Sequence, residues 1–275
     1  MSKPKGNQAE RIAFSACDNY TVNPSYIAAP VVIAAAITAY GATFPRSELF
    51  GRIISRTNSP RKLAITFDDG PNPAITPQIL KLLERHQTLA TFFVIGRFAR
   101  ECPALLRDIA DRGHAIGNHT QNHVNLFFHT PSSIRTEIQS CDDSISDITG
   151  TRPKWFRPPW GARNPWVIPA ARISGHSTVM WTLLPGDWRG KPADWLIRRM
   201  QPIANHAQLL HASRGNSSPG TGDILCLHDG DHRFLNADRN STLAALTHWL
   251  PRWRDLGLEF VTIDDAVSTP ANTHG

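Results

Sequence analysis

The sequence predicts an α/β fold, an open or incomplete (β/α) barrel with parallel strands over residues 61–267, preceded by an apolar helical segment. Seven short β-rich runs alternate along the chain with longer amphipathic stretches. Parallel strands need crossover connections of that kind, and such connections are usually helices. Polar residues follow most of the strand candidates, which is where parallel α/β folds place their functional groups. These observations favour one domain with its functional site at the carboxyl ends of the strands.

The strand candidates are short runs rich in apolar and β-branched residues, at 63–67, 91–95, 114–117, 154–156, 178–183, 224–227 and 258–262. The helix candidates have apolar residues at helical spacing, at 76–86, 103–112, 132–149, 165–175, 192–205 and 241–256. In the first of them, the apolar stripe that indicates a helix consists of Ile79, Leu80, Leu82 and Leu83. The Gly-, Ser- and Pro-rich stretch 213–222 predicts a loop, and residues 268–275 predict a tail.

Residues 1–60 form a separate N-terminal segment with an uncharged stretch at 19–45. Its apolar centre, at residues 26–44, approaches the ~20 apolar residues that a membrane span needs. Three interpretations remain open: a membrane anchor, an export signal that is cleaved or retained, and a helix packed on the main domain. Basic residues are more numerous after the stretch than before it, and this bias favours a cytoplasmic main domain. They are Lys3, Lys5 and Arg11 before it, and Arg46, Arg52, Arg56, Arg61 and Lys62 after it.

Composition excludes several classes of protein. With 41% hydrophobic and 19% charged residues, the chain is not disordered, collagen-like or a coiled coil. The net charge of +6 is spread along the chain without a basic stripe of interleaved aromatic residues, so nucleic acid is not an expected partner. Four cysteines lie far apart without a CxxC pair, which argues against a disulfide framework and against a thiolate zinc site. A bound metal would therefore need His, Asp or Glu ligands.

Polar groups follow five of the predicted strands, in the segments 68–71, 119–123, 157–161, 187–188 and 228–230. Since the carboxyl ends of parallel strands meet at one edge of a sheet, we expect these segments to share one site.

His119 and His123 are four residues apart, a spacing that places two imidazoles on one face of a helical turn. With one carboxylate they form a His/His/Asp set that leaves open positions on a divalent ion, which is typical of a catalytic site. Asp68 and Asp69 point in different directions on an extended chain, so one can bind metal while the other takes a proton from the attacking water. A turn or a helix cap is the structural alternative for this pair of carboxylates.

Arg157 can hold the carboxylate that serves as base, or it can lie at the surface beside a rigid proline turn. His228 can serve as a general acid whose ring is oriented by Asp187, with Asp229 as a competing orienter. A histidine satisfied within the core is the structural alternative for His228.

Two tryptophans of the predicted site, Trp160 and Trp188, could stack on a sugar, although tryptophan more often packs in a core. Eight other histidines fit no such arrangement, and we interpret them as surface or packing residues: His86, His114, His129, His176, His206, His211, His232 and His248.

The candidate residues occur in five ordered motifs: Thr66-Phe67-Asp68-Asp69-Gly70-Pro71, His119-Thr120-Gln121-Asn122-His123, Arg157-Pro158-Pro159-Trp160-Gly161, Asp187-Trp188 and Leu225-Cys226-Leu227-His228. This set resembles the motifs of the polysaccharide deacetylases of the NodB-homology, carbohydrate esterase 4 type. The resemblance covers residues 61–267 and implies a distorted, incomplete (β/α) barrel. Residues 1–60 match none of these motifs.

The resemblance implies one divalent metal ion with Asp69, His119 and His123 as its ligands. Zinc is the expected metal, with cobalt, nickel and manganese as alternatives. Asp68 would be the catalytic base, and Arg157 would hold it.

The same resemblance makes His228 the catalytic acid, oriented by Asp187. Trp160 stands where the family usually has Tyr or Phe, and its backbone N–H would help to form the oxyanion hole. The residues expected to bind substrate are Trp160, Trp188, Leu225 and Pro159.

The implied activity is metal-dependent removal of N-acetyl groups from N-acetylhexosamine units of a peptidoglycan- or chitin-like polysaccharide, with release of acetate. Alternative reactions are removal of O-acetyl groups from xylan and deformylation of a lipid-linked amino sugar. A carbohydrate-binding barrel without turnover is the non-enzymatic alternative. Because such glycans lie outside the cytoplasm, we expect a protein of the cell envelope, membrane-anchored or exported, with a cytoplasmic location as the alternative.

Overall fold

The computed structural model describes residues 24–212 and 220–268. The chain divides into two compact units, one up to Ile37 and one from Thr38 onward. Most of the predicted loop at 213–222 and of the predicted tail at 268–275 lies outside the described residues, as do Lys3, Lys5 and Arg11.

The first described element is helix α1, Pro24–Thr43, which has no charged residue and no distinct polar face. Val31, Val32 and Ile33 on this helix are more than half exposed, whereas Ala42 in its last turn is buried. No helix within the described residues is long and apolar enough to cross a membrane. The three interpretations of the apolar segment stay predictions.

Within the described residues, seven strands form one sheet: β1 (Lys62–Gly70), β2 (Thr91–Val94), β3 (Ala115–Asn118), β4 (Trp155–Phe156), β5 (Ser177–Thr178), β6 (Asp223–His228) and β7 (Glu259–Val261). Neighbouring strands follow the order β5-β4-β3-β2-β1-β6, and β7 pairs with β1. All of these pairs are parallel. The structure therefore confirms the predicted parallel α/β architecture.

The helices that follow α1 are α2 (Thr76–Arg85), α3 (Gly96–Glu101), α4 (Pro103–Asp111), α5 (Pro131–Thr149), α6 (Val167–Ile173), α7 (Ala193–Ala212), α8 (Asn240–Asp255) and α9 (Ile263–Val267). Short 3-10 turns occupy Leu126–Phe128, Pro159–Gly161 and Asp187–Arg189. The predicted helices are all present. Helices α3 and α9 were not predicted, because six and five residues are too few to show a helical period.

Helix α5 shows how local sequence sets a helix boundary. The Thr130 side chain accepts a hydrogen bond from the Ser133 N–H at its start, and Pro131 occupies the first turn, where no intrahelical N–H partner is needed. Gly150 ends the helix with a left-handed φ of 72°, a conformation that glycine adopts without a Cβ clash. Between these ends, Ile134 and Ile138 bury the face that packs toward the sheet.

The barrel closes through isolated bridges and not through a full ladder. The predicted strand at 178–183 has only its first residue in the regular strand β5, but the extended chain that follows bridges Val179 to Ile54 and Leu183 to Leu225. These bridges link the β5 edge of the sheet to β6, so the barrel is incomplete, as predicted. Ile54 and Thr57 also form isolated bridges, to Val179 and Gly222, and the domain boundary at residue 60 stays a prediction.

The two largest of the three core clusters in the described residues lie on the two faces of the sheet, because successive strand residues point to opposite faces. In β1, Leu63, Ile65 and Phe67 pack in the larger core, which the helices cover. Ala64 faces the barrel interior in the same core as Trp181. Each large apolar side chain that is fully buried in this way stabilises the fold by about 1.5–3 kcal/mol.

Candidate active site

A cleft of about 470 Å³ lies at the carboxyl ends of the strands, within the ~300–1,000 Å³ range of small-molecule sites. Its lining comes from strand ends and the loops after them: Asp68, Asp69, His119, His123, Trp160, Trp181, Leu184, Trp188, Cys226, His228, Asp231, His232, Arg233 and Arg239. The residues predicted as metal ligands, base and acid are therefore brought together in one cleft. Arg157 and Asp187 lie behind this lining, where each contacts one of these residues.

The end of β1 directs its two carboxylates to different partners. The register against β2 shifts between Asp68 and Gly70, and Asp69 has a left-handed φ of 72°. Such backbone in a non-glycine residue costs about 1–3 kcal/mol and persists where the surroundings enforce it. Gly230 packs so closely on the Asp69 carbonyl that a Cβ at position 230 would collide with it. The kink sends Asp68 toward Arg157 and sends Asp69 toward the two histidines.

Asp69, His119 and His123 bring three donor atoms within 4.8 Å of one another. Asp69 Oδ1 lies 3.0 Å from His123 Nε2 and 3.4 Å from His119 Nε2, and this buried oxygen has no hydrogen bond of good geometry. Burial opposes ionisation of Asp69, but its interaction with the two imidazoles holds its pKa well below the usual value. Burial also lowers the pKa of His123, which favours the neutral ring that a metal needs. This donor set fits a divalent cation.

The two histidines meet through an irregular loop and not through the predicted helical turn. Thr120 and His123 have left-handed φ angles of 67° and 55°, which no α-helical turn contains. Asn118 Oδ1 accepts from the Thr120 N–H at 2.8 Å, and Thr120 Oγ1 accepts from the His123 N–H at 3.0 Å. Nδ1 of His119 lies 2.7 Å from the Arg157 carbonyl oxygen, to which it donates. That bond fixes the His119 ring and leaves its Nε2 available for metal.

Asp68 is held by a fully buried arginine. Arg157 Nη1 lies 2.6 Å from Asp68 Oδ1 and also donates to Thr66 Oγ1 at 2.8 Å. The rest of the guanidinium donates to the carbonyl oxygens of Val179 and Met180, so its position is fixed on several sides. A charge-assisted bond of this kind keeps the carboxylate in one orientation, as a positioned base requires.

A second group of donor atoms, from Asp68, Cys226 and His228, also lies within 4.8 Å, but it does not suit a metal. Arg157 already supplies a positive charge to Asp68 at 2.6 Å. Burial and the charge of Asp68 raise the pKa of the Cys226 thiol well above its usual value, whereas a metal needs the thiolate. The thiol instead donates to Asp68 Oδ2 at 3.3 Å.

His228 is held by Asp187 through two bonds. Its Nδ1 lies 2.9 Å from Asp187 Oδ1, and its backbone N–H donates to Asp187 Oδ2 at 2.7 Å. Burial alone would lower the pKa of His228, but the Asp187 carboxylate and the other acidic groups of the site raise it to about 9. The carboxylate of Asp229, the competing orienter, accepts a hydrogen bond from Thr76 instead, and burial raises its pKa to about 7. A protonated His228 can therefore serve as an acid at neutral pH.

The predicted substrate-binding residues divide into two groups. Trp160 and Trp188 line the cleft with side chains that are 53% and 40% exposed, so both can contact a sugar. Pro159 and Leu225 are buried and are not among the residues that line it, so their part in substrate binding stays a prediction. Leu225 faces the helix-covered core because side chains alternate along β6, and the same alternation turns Cys226 into the cleft.

Sequence reasoning missed five residues that line the cleft. One of them is Cys226, in β6, and the other four follow that strand: Asp231, His232, Arg233 and Arg239. His232, interpreted from the sequence as a surface or packing residue, packs inside the cleft lining, where its ring stacks on the His123 ring with 4.4 Å between centroids. Strand alternation could have identified Cys226, two residues before His228. No local periodicity marks the loop residues.

Known proteins are similar to this chain over most of its length. The sequence profile described as polysaccharide deacetylase matches residues 55–179. A peptidoglycan-N-acetylglucosamine deacetylase of Bacillus cereus is 36% identical over 76% of this chain and 89% of the relative. A chitooligosaccharide deacetylase of Azorhizobium caulinodans is 34% identical over 74% of this chain and 93% of the relative. The crystal structure of the Bc1960 peptidoglycan N-acetylglucosamine deacetylase has a TM-score of 0.68 at 29% identity, over 79% of this chain and 92% of that one.

Proposed function

The chain belongs to the polysaccharide deacetylase family, and we propose that it removes N-acetyl groups from N-acetylhexosamine units of a cell-wall glycan, releasing acetate. The family assignment confirms the resemblance drawn from the five motifs. It makes the chain a hydrolase of carbon–nitrogen bonds other than peptide bonds. Peptidoglycan is the substrate that we favour, because the first of these relatives is named for it, and chitin-like oligosaccharides are the second choice.

One observation supports this function above the others. A single cleft holds a three-donor metal set, a carboxylate fixed by a buried arginine and an imidazole fixed by a buried carboxylate. Amide hydrolysis needs these three functions: polarisation of the carbonyl, removal of a proton from water and protonation of the leaving nitrogen.

The division of work follows from the contacts. A divalent ion held by Asp69, His119 and His123 would supply a Lewis acid that polarises the acetamide carbonyl, and zinc is the ion that we propose. Asp68 takes a proton from the attacking water as the water oxygen adds to the carbonyl carbon. Arg157 keeps the carboxylate of Asp68 in one position while that carboxylate accepts and releases the proton.

The remaining steps use the imidazole of His228, which has a nitrogen within 4.8 Å of an Asp68 carboxylate oxygen. His228 donates a proton to the amine nitrogen as the carbon–nitrogen bond breaks, so acetate and a free amino sugar leave. Asp187 orients the ring and stabilises its protonated form. We propose that the Trp160 backbone N–H, at a residue with a left-handed φ of 54°, donates to the developing oxyanion.

An assay of acetate and formate release from several acylated substrates tests the function. The substrates are N-acetylglucosamine oligomers, peptidoglycan, acetylated xylan and a formylated amino sugar. We expect acetate from the N-acetylated glycans. Acetate from xylan alone would show an O-acetyl esterase, and formate from a formylated amino sugar would show a deformylase. Glycan binding without any product would show a carbohydrate-binding barrel.

His228→Ala should lower turnover about 10²-fold while metal content is unchanged, because a positioned acid contributes at least that much. In the unsubstituted protein, kcat/KM should fall as pH rises through the pKa of His228, since only the protonated ring can donate. That pKa is about 9 without metal, and a bound cation would lower it. The variant should lack this basic limb in a plot of kcat/KM against pH.

Asp187→Asn is the matched control for that profile. Removal of the Asp187 charge lowers the pKa of His228, so the basic limb should move to lower pH and not disappear. A His228→Ala protein with unchanged rate and profile would make His228 a structural core residue.

We also propose that the protein acts in the cell envelope, through the apolar segment at residues 26–44. The support is the chemistry of its glycan substrate and the uncharged sequence of α1. Fractionation of cells that express the full chain tests this, and recovery of active protein only in the soluble cytoplasm would contradict it.

A further inference from the structure

The two histidines of the metal set are supported in different ways. His119 donates its Nδ1 proton to the Arg157 carbonyl oxygen at 2.7 Å. His123 Nδ1 is buried and has no hydrogen-bond partner among the described residues. A metal-binding histidine nearly always uses its second nitrogen in a hydrogen bond, which sets the orientation of the ring. Among the described residues, contacts other than a hydrogen bond at Nδ1 therefore orient the His123 ring.

Two aromatic rings contact His123 from outside the metal set. The Trp160 ring meets it edge to face, with centroids 4.3 Å apart and planes at 69°. The His232 ring lies nearly parallel to it, with centroids 4.4 Å apart and planes at 18°. His232 and Trp160 also contact each other, at 5.2 Å between centroids. A stacked ring and an edge contact together prevent the His123 ring from tilting.

The loop that carries His232 is anchored at His232 and at the two residues before it. Arg97, at the start of α3, donates to the His232 carbonyl oxygen. Arg239 donates to the Gly230 carbonyl oxygen at 2.9 Å and lies 3.4 Å from an Asp231 carboxylate oxygen. These bonds hold the backbone beside the cleft, so the position of the His232 ring is set by the fold and not by its own contact with His123.

We propose that His232 is a positioning residue that holds the metal ligand His123 by ring stacking, in place of the missing hydrogen bond at His123 Nδ1. This inference rests on the proposed metal-binding role of His123. His232 itself is not in the donor group, whose ligand atoms come from Asp69, His119 and His123. His232 sets the geometry of the site before metal binds. Its loss should therefore lower metal affinity as well as turnover.

The test is the zinc affinity of the metal-free full chain, measured by competition with a chromophoric chelator. His232→Ala should weaken zinc binding about 10-fold, at the lower end of what loss of a supporting contact costs a metal site. His232→Phe keeps a ring that can stack, so it should restore most of the affinity. His232→Leu fills space without a ring face, so it should bind zinc as weakly as the alanine variant. Visible absorption of the cobalt-loaded proteins should show altered ligand geometry only in the alanine and leucine variants.

Phe234→Ala is the matched control, because Phe234 lies in the same loop, is 52% exposed and does not line the cleft. It should leave zinc affinity unchanged. If His232→Ala does not fold, the leucine and phenylalanine variants still decide the question.

Equal zinc affinity in the leucine and phenylalanine variants, or an unchanged affinity in the alanine variant, would overturn the role of His232 alone. Failure of the unsubstituted protein to bind zinc or cobalt would overturn the proposed metal site, and the role of His232 with it.

Discussion

Removal of divalent metal from the protein should abolish acetate release, and addition of zinc or cobalt should restore it. Asp69, His119 and His123 provide one carboxylate and two imidazole nitrogens within 4.8 Å, and no other described group in the cleft can polarise a carbonyl as strongly. Acetate release is measured after dialysis against a chelator and again after each metal is added. Full turnover in the metal-free protein would contradict the assignment.

Asp69→Asn is the genetic counterpart of metal removal. The amide lacks the negative charge that favours a cation, so zinc affinity should fall and activity should return only at high metal concentration. Circular dichroism should be unchanged by chelation, because the apolar cores of the barrel do not include the metal set. Activity that is lost together with the folded structure would show that the metal is structural instead.

Asp68→Asn should lower turnover by about 10²–10⁴-fold while zinc affinity stays close to that of the unsubstituted protein. An asparagine cannot take a proton from water, but it can still accept a hydrogen bond from Arg157, which lies 2.6 Å from Asp68. The measurements are kcat with an N-acetylglucosamine oligomer and zinc content of the purified variant.

The comparison of Asp68→Asn with Asp69→Asn tests the division of roles between two adjacent carboxylates. Opposite phenotypes are expected, with lost turnover in one variant and lost metal in the other. Reversed phenotypes would show that the roles are exchanged. Asp68→Asn should also lower the thermal midpoint, because the fully buried guanidinium of Arg157 loses its counter-charge.

Much of the fold could be predicted because its signals are local. The apolar stripe of Ile79, Leu80 and Leu83 recurs within one helix, and it predicts the same helix in isolation or in the barrel. Helices α3 and α9 are too short to show a period, and β5 has only two regular residues. Bridges from Val179 and Leu183 to residues far along the chain determine the structure after β5, so local patterns could not identify it.

The site divides in the same way. The sequence by itself determined which chemical groups the cleft would contain, because Asp68, Asp69 and His228 lie at the ends of strands, His119 and His123 lie in the loop that follows one, and parallel strands end on one edge. Only the tertiary structure decided how those groups are supported. The sequence assigned Leu225 to the pocket where strand alternation places Cys226, and it left His232 without a function. The contact of His232 with His123 joins two loops more than 100 residues apart, and its physical basis is ring stacking at 4.4 Å, which depends on the position of whole elements and leaves no periodic pattern in the chain.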